Sequence, residues 1–179
     1  MDVRRKADRS MTIKELLMNL QMLKQLEDLK EEHLLLYQEL CELRSEGHKA
    51  FKQAVRQEFI DYFSKNGFAR DDDGNSGVTM RYKRSAVSLH EYVSDVFSFK
   101  MRDAFEHTVH VHQDCDGYKP THVNEKLTLE DRITHEIKSI EALKASITNF
   151  TPCRSYLTLD KQQKQYGGFS EIIDKTIGQ

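Results

Sequence analysis

A chain of 179 residues is long enough for one globular core with an extension, and its length alone argues against two independent cores. Charged residues make up 31% of the chain, yet the formal net charge is only -2. A nearly neutral chain has no overall field that would attract DNA, an anionic membrane or an acidic protein. Binding to any of these must therefore come from a local patch.

The start of the chain predicts a long helix. Between Thr12 and Glu46 there is no proline or glycine, and good helix formers dominate. Thr12 and Glu15 have the spacing of a capping box, which marks a helix N-terminus. With a rise of about 1.5 Å per residue, this helix would be roughly 50 Å long.

An apolar stripe with heptad-like spacing runs along this helix, with one extra three-residue step near Leu26. Its members are Leu16, Leu20, Leu23, Leu26, Leu29, His33, Leu36, Leu40 and Leu43. A compact domain of this size cannot bury so long and narrow a stripe, so we predict that it pairs with the same helix of a second copy. The alternatives are packing on a helix at 129–149 of the same chain, or docking of a different protein.

Beyond Gly47 the pattern predicts a mixed domain. Phe51, Val55, Phe59 and Phe63 share one face of a second helix, which ends near Gly67. The turn sequence at 71–77 and alternating residues beyond it predict a small antiparallel sheet from about 68 to 113, interrupted by a short helical segment from Ser88 to Phe97.

Two helices are predicted after the sheet. Thr128 and Asp131 predict the start of a helix with an apolar stripe of Ile133, Ile137, Ile140 and Ile147, and Ser170 could cap a short last helix. The fold class is therefore α+β, with a long N-terminal coiled-coil-like helix, a second helix, a small antiparallel sheet and a C-terminal helix packed on it. Residues 1–47 form an oligomerisation arm, and residues 48–179 form the globular domain.

A cluster of histidines and acids at 105–116 is the best candidate for chemistry. His110, His112, Asp114 and Asp116 have side chains that zinc and other divalent metals accept. The stretch "HVHQDCD" resembles the HxHxDH signature of the metallo-β-lactamase fold over seven residues, but Cys115 stands where that signature has its last histidine. The alternative interpretation, which we favour, is the solvated face of a strand, so we expect no cofactor.

Two short basic segments are candidates for phosphate binding: Arg4, Arg5 and Lys6 near the N-terminus, and Arg81, Lys83 and Arg84 beside the predicted hairpin. Aromatic residues that could stack on bases are sparse around them. Exposed cations are also common on protein surfaces, so we favour a solvated arm and strand face.

The cysteines and the hydropathy bear on the compartment. Cys41, Cys115 and Cys153 are widely spaced and include no CxxC pair, which predicts neither a disulfide framework nor a zinc site. The first residues do not resemble a secretory signal, and no apolar run approaches the roughly 20 residues of a membrane helix. These features predict a cytoplasmic protein without a membrane partner.

Together these patterns favour a non-enzymatic interaction protein, such as an adaptor, an inhibitor or an assembly factor. It would form a homo-oligomer through the leucine-rich helix and present its globular part to another protein. A nucleic-acid-binding regulator that uses the basic segments is the first alternative. A metal-dependent hydrolase that uses the histidine and aspartate cluster is the second.

Overall fold

The computed structural model describes residues 12–71, 77–123 and 126–178. Three helices and six strands follow one another in the order α1 (Ile13–Lys65), β1 (Ala69–Asp71), β2 (Gly77–Tyr82), β3 (Ser85–Val93), β4 (Val96–Met101), β5 (Phe105–Asp114), α2 (Leu129–Thr148), β6 (Arg154–Leu159) and α3 (Phe169–Ile177). The predicted α+β class, with a long N-terminal helix, an antiparallel sheet and a C-terminal helix packed on it, is confirmed.

Helix α1 begins at the predicted capping box. The Glu15 N–H donates to the Thr12 hydroxyl, and the Thr12 N–H donates to the Glu15 carboxylate at 2.8 Å. The prediction of a separate second helix after Gly47 is wrong, because α1 continues through Gly47 for 53 residues in total. One internal glycine costs only about 1 kcal/mol, which the good helix formers on both sides can offset.

The strands form one antiparallel sheet in sequence order, from β1 to β6. The predicted helical segment from Ser88 to Phe97 is wrong, because Ser88 and Leu89 lie in β3 and pair with Lys100 and Phe99 of β4. The sheet also extends beyond the predicted limit at residue 113, since β6 pairs with β5. The capping pattern at Ser88 involves only neighbouring residues. Strand β3 is instead determined by its pairing with β2 and β4, which a local pattern does not reveal.

The sheet buries one face against helical residues. Val55, Phe59 and Phe63 of α1 lie in the same apolar core as Phe97 and Phe99 of β4. Helix α3 adds Phe169, Ile172 and Ile173 to this core, all of them fully buried. The predicted aromatic stripe after Gly47 is therefore the stripe that covers the sheet.

The chain divides into two compact units. The first contains the chain up to Glu42 together with Gly117–Phe150, and the second contains Leu43–Asp116 and Thr151 onward. The predicted division at residue 47 had instead assigned Gly117–Phe150, which includes α2, to the globular domain. Within the described ranges, no helix is both long enough and apolar enough to cross a membrane.

Candidate functional site

One face of α1 is covered in the part of the helix that belongs to the first unit. We call Met22, Leu26, Leu29, His33, Leu36 and Leu40 the covered stripe, since none of these side chains is classed as exposed. Leu26 and Leu40 are each only 1% exposed. Leu40 lies in an apolar cluster with Tyr118 and with Leu143 of α2. The alternating steps of three and four residues along this stripe are those of a heptad repeat.

His33 is the polar member of the covered stripe, and both of its ring nitrogens have partners. Nδ1 lies 2.6 Å from a carboxylate oxygen of Glu136, and Nε2 lies 2.9 Å from the hydroxyl of Tyr118. Glu136 is buried on α2, and Tyr118 is buried in the segment before it. A buried carboxylate requires a hydrogen-bond partner, and His33 supplies one to Glu136. The two contacts of His33 therefore join α1 to α2 and to the segment before α2.

A second apolar stripe of α1 is exposed. Ile13, Leu16, Leu20 and Leu23, which we call the open stripe, are 79%, 49%, 53% and 43% exposed. Leu17, beside this stripe, is also exposed. A contiguous group of large apolar side chains on a polar helix is unusual at a protein surface and typically marks a binding surface.

The two stripes lie on different faces of α1. At 3.6 residues per turn, their mean directions differ by roughly 140° around the helix axis. The predicted single stripe therefore consists of two parts. Leu16, Leu20 and Leu23 are on the open stripe, whereas Leu26, Leu29, His33, Leu36 and Leu40 are on the covered stripe. Leu43, its last predicted member, is partly buried and belongs to the second unit. The extra three-residue step near Leu26 is the point at which the leucines change from one face to the other.

The structure does not gather the predicted metal ligands into a site. His110 and His112 are partly buried on the face of β5 opposite the core residues Val109 and Val111, and their ring centres are 6.3 Å apart. His112 Nε2 is 2.9 Å from the hydroxyl of Thr158. Asp114 pairs in register with Arg154. In the part of the chain that the structure describes, no group of three or more His, Cys, Asp or Glu is arranged to hold a metal ion. The metal site gains no support from these residues.

The candidate phosphate-binding residues Arg81, Lys83 and Arg84 lie at the end of β2 and in the turn that follows it. Arg81 forms an ion pair with Asp71, which offsets its charge. Lys83 occupies the turn between β2 and β3 with a φ of 53°, and its Nζ lies 5.2 Å from the ring centre of Tyr82. Arg84 is exposed beside it. Arg4, Arg5 and Lys6 lie outside the described residues, so nucleic-acid binding stays a prediction.

A network of charged side chains joins α1 to the hairpin of β3 and β4. Lys52 Nζ lies 2.7 Å from Glu91 Oε1 and 3.2 Å from Asp95 Oδ1, and Arg56 also pairs with Glu91. Asp95 in addition lies 2.6 Å from Nε2 of His48. Sequence reasoning did not identify this network, since its members are not adjacent in sequence.

Pairing within this network shifts the pKa values of Lys52, Glu91 and Asp95. Burial alone would raise the pKa of Glu91, but hydrogen bonds from Lys52 and the Asp95 N–H hold that pKa below its ordinary value. Burial alone would also raise the pKa of Asp95, but hydrogen bonds from His48 and Lys52 hold that pKa below its ordinary value. Burial would lower the pKa of Lys52, but its two carboxylate partners raise it. All three groups are held in their charged forms.

Cys115 and Cys153 form a disulfide that sequence reasoning did not predict. Cys115 follows the last residue of β5 and Cys153 precedes the first residue of β6, so strand pairing brings them together. The expectation of no disulfide is therefore wrong for this pair. No local sequence pattern indicated this disulfide, because the two cysteines are 38 residues apart.

Two partners of His33 were also missed. Tyr118 and Glu136 are 85 and 103 residues from it. One signal was present, since Glu136 lies between Ile133 and Ile140 at helical spacing and is 8% exposed. The predicted stripe residue Ile137 is instead 40% exposed. An acid that interrupts an apolar helix face is a detectable sign of a buried ion pair or hydrogen bond.

Comparison with known proteins adds no further information, because no family model, curated protein or solved structure matches this chain.

Proposed function

We infer that this protein is a non-enzymatic interaction protein that self-associates through the open stripe of α1. An adaptor, an inhibitor or an assembly factor would act in this way, by presenting its sheet-containing unit to a second protein. The observation that supports this function is the exposure of Ile13, Leu16, Leu20 and Leu23 on a helix whose other apolar face is covered. Leaving four large apolar side chains in water is unfavourable by roughly 25 cal/mol for each Å² that a partner could cover.

A second copy accounts for the open stripe better than a fold-back does. Helix α2, with the segment before it, is already engaged by the covered stripe through Glu136 and Leu143. The heptad-like steps between residues 13, 16, 20 and 23 are those used by helices that pair side by side. Association would bury the stripe without disturbing the helix pair inside the unit.

Light scattering after size-exclusion chromatography tests the proposal with two matched double variants. Leu16→Glu with Leu20→Glu places two charges on the open stripe, while Gln21→Glu with Gln25→Glu adds the same charge at exposed positions on another face. Glutamate is a good helix former at all four positions. We expect the first variant to be monomeric and the control to associate as the unmodified chain does. Equal masses for the two variants would contradict the proposal.

A separate experiment tests the predicted cytoplasmic location. The sequence predicts a cytoplasmic protein, whereas the Cys115–Cys153 disulfide favours an oxidising compartment. We propose the cytoplasm with the pair reduced in the cell, so rapid alkylation of the native protein should label all three cysteines. Mass spectrometry then identifies the labelled cysteines. If Cys41 alone is labelled, the result would instead indicate an oxidising compartment.

A further inference from the structure

The heptad spacing of the open stripe continues along α1. After Leu23, the alternating steps of four and three residues reach Glu27, Lys30, Leu34, Tyr37 and Cys41. Leu34 is 55% exposed, Cys41 is exposed, and Tyr37 is partly exposed. The continuation is therefore apolar at its far end and charged in its middle. All of these residues belong to the first unit.

The charged middle consists of two opposite charges. Glu27 and Lys30 form an ion pair within the helix, with 2.9 Å between Nζ and Oε1, and their side chains are 69% and 42% exposed. Polar residues at core positions of paired helices often determine how the helices are aligned. If a second helix lies along this face, Glu27 and Lys30 must meet its residues.

The charges discriminate between the two orientations of a partner helix. In a parallel pair, equivalent positions face each other, so Glu27 would meet Glu27 and Lys30 would meet Lys30. In an antiparallel pair centred on this segment, Glu27 of each copy meets Lys30 of the other. Like charges that are brought together at an interface are unfavourable, and opposite charges fix the register.

A surface depression lies on the same face of α1. Lys30, His33, Leu34 and Tyr37 line a depression of about 210 Å³. Four residues at positions i, i+3, i+4 and i+7 form the kind of hole into which a side chain of a neighbouring helix inserts. With Glu27 opposite Lys30, the residue that reaches this hole from the second copy is Leu23.

We propose that two copies pair antiparallel along this face, with Glu27 of each copy opposite Lys30 of the other. Leu23 then meets Leu34, Leu20 meets Tyr37, and Leu16 meets Cys41. Each contact occurs twice because the interface is two-fold symmetric. The contact extends over residues 16–41, about 38 Å of helix. This inference rests on the proposed self-association and adds its orientation and register.

Cys41 makes the orientation measurable in the folded chain of 179 residues. In the antiparallel register the two Cys41 side chains are about 38 Å apart, whereas in a parallel pair they would be in contact. We therefore expect mild oxidation of the unmodified dimer to give no Cys41–Cys41 cross-link. The variant Leu16→Cys should give a dimer cross-linked between residues 16 and 41, identified by mass spectrometry of the peptides.

Sedimentation under the same conditions separates the outcomes. A dimer with the 16–41 cross-link supports the inference. A Cys41–Cys41 cross-link in the unmodified dimer, or a Leu16→Cys dimer without the 16–41 product, overturns the orientation or the register but leaves self-association standing. A chain that stays monomeric overturns both this inference and the proposed function.

Charge reversal gives a second readout. The Glu27→Lys variant would bring a lysine at position 27 opposite Lys30 of the other copy, so we expect the dimer dissociation constant to rise about tenfold. The double variant Glu27→Lys with Lys30→Glu restores opposite charges across the interface and should recover most of that affinity. In a parallel pair the single reversal exchanges one like-charge contact for another. An unchanged dissociation constant in the single variant would therefore overturn the antiparallel arrangement.

Discussion

At the scale of single residues, His33 links three parts of the first unit through its two ring nitrogens. Replacing His33 with leucine leaves the buried carboxylate of Glu136 without this partner, which costs about 1–3 kcal/mol. We expect His33→Leu to lower the free energy of unfolding by that amount in urea titrations. The double variant His33→Leu with Glu136→Leu should recover much of the loss, because an apolar pair needs no hydrogen bond. Equal stabilities of the single variant and the unmodified chain would show that the His33 contacts contribute nothing.

The network around Lys52 predicts a pH dependence at the same scale. The lowered pKa values of Glu91 and Asp95 mean that these carboxylates stabilise the fold above their unfolded pKa and lose that contribution as pH falls through their folded pKa. The raised pKa of Lys52 gives stability that is lost only in strong alkali. We expect Lys52→Met to destabilise the chain at pH 7 and to have a much smaller effect near pH 2. Urea titrations at both pH values measure this, and a constant difference would contradict it.

At the scale of elements, the continuity of α1 through Gly47 can be tested by substitution. A Cβ at Gly47 would meet no atom within 4 Å apart from its chain neighbours and the adjacent backbone of its own helix, and alanine favours a helix over glycine by about 1 kcal/mol. Gly47→Ala should therefore stabilise the chain by roughly that amount in thermal denaturation. Gly67→Ala is the control, because Gly67 has a φ of +84° and alanine there should destabilise the chain. Destabilisation by Gly47→Ala would mean that the helix bends at this residue.

The elements also show what the sequence could predict. The capping boxes at Thr12 and Thr128 are local patterns, and each gave the correct start of a helix. The apolar stripe from Phe51 to Phe63 gave the correct buried face but was assigned to a separate helix, although it belongs to α1. Strand β6 was missed because its partner β5 lies across the whole of α2 in sequence. The two apolar faces of α1 were merged into one predicted stripe because only the leucines and His33 were followed, without Ile13 and Met22. The exposure of Ile13 and the intermediate burial of Met22 distinguish them.

At the scale of the whole molecule, the disulfide closes a large loop. In the chain-entropy model a bridge between residues 38 apart stabilises the fold by about 4 kcal/mol. Cys115→Ser with Cys153→Ser should lower the denaturation midpoint of the oxidised protein, whereas Cys41→Ser should leave it unchanged, because Cys41 is a free, exposed cysteine. Reducing agent should lower the midpoint of the unmodified chain to that of the double variant. If neither the double substitution nor the reducing agent changes the denaturation midpoint, the disulfide adds no stability.

The central claim concerns the whole molecule as well: the open stripe of α1 is covered by a second copy of the chain. Sedimentation equilibrium of the unmodified protein over a hundredfold range of concentration measures this directly. We predict a concentration-dependent rise from the 21.0 kDa monomer to twice that mass. A single 21.0 kDa species at every concentration, with α1 still helical by circular dichroism, would contradict the account.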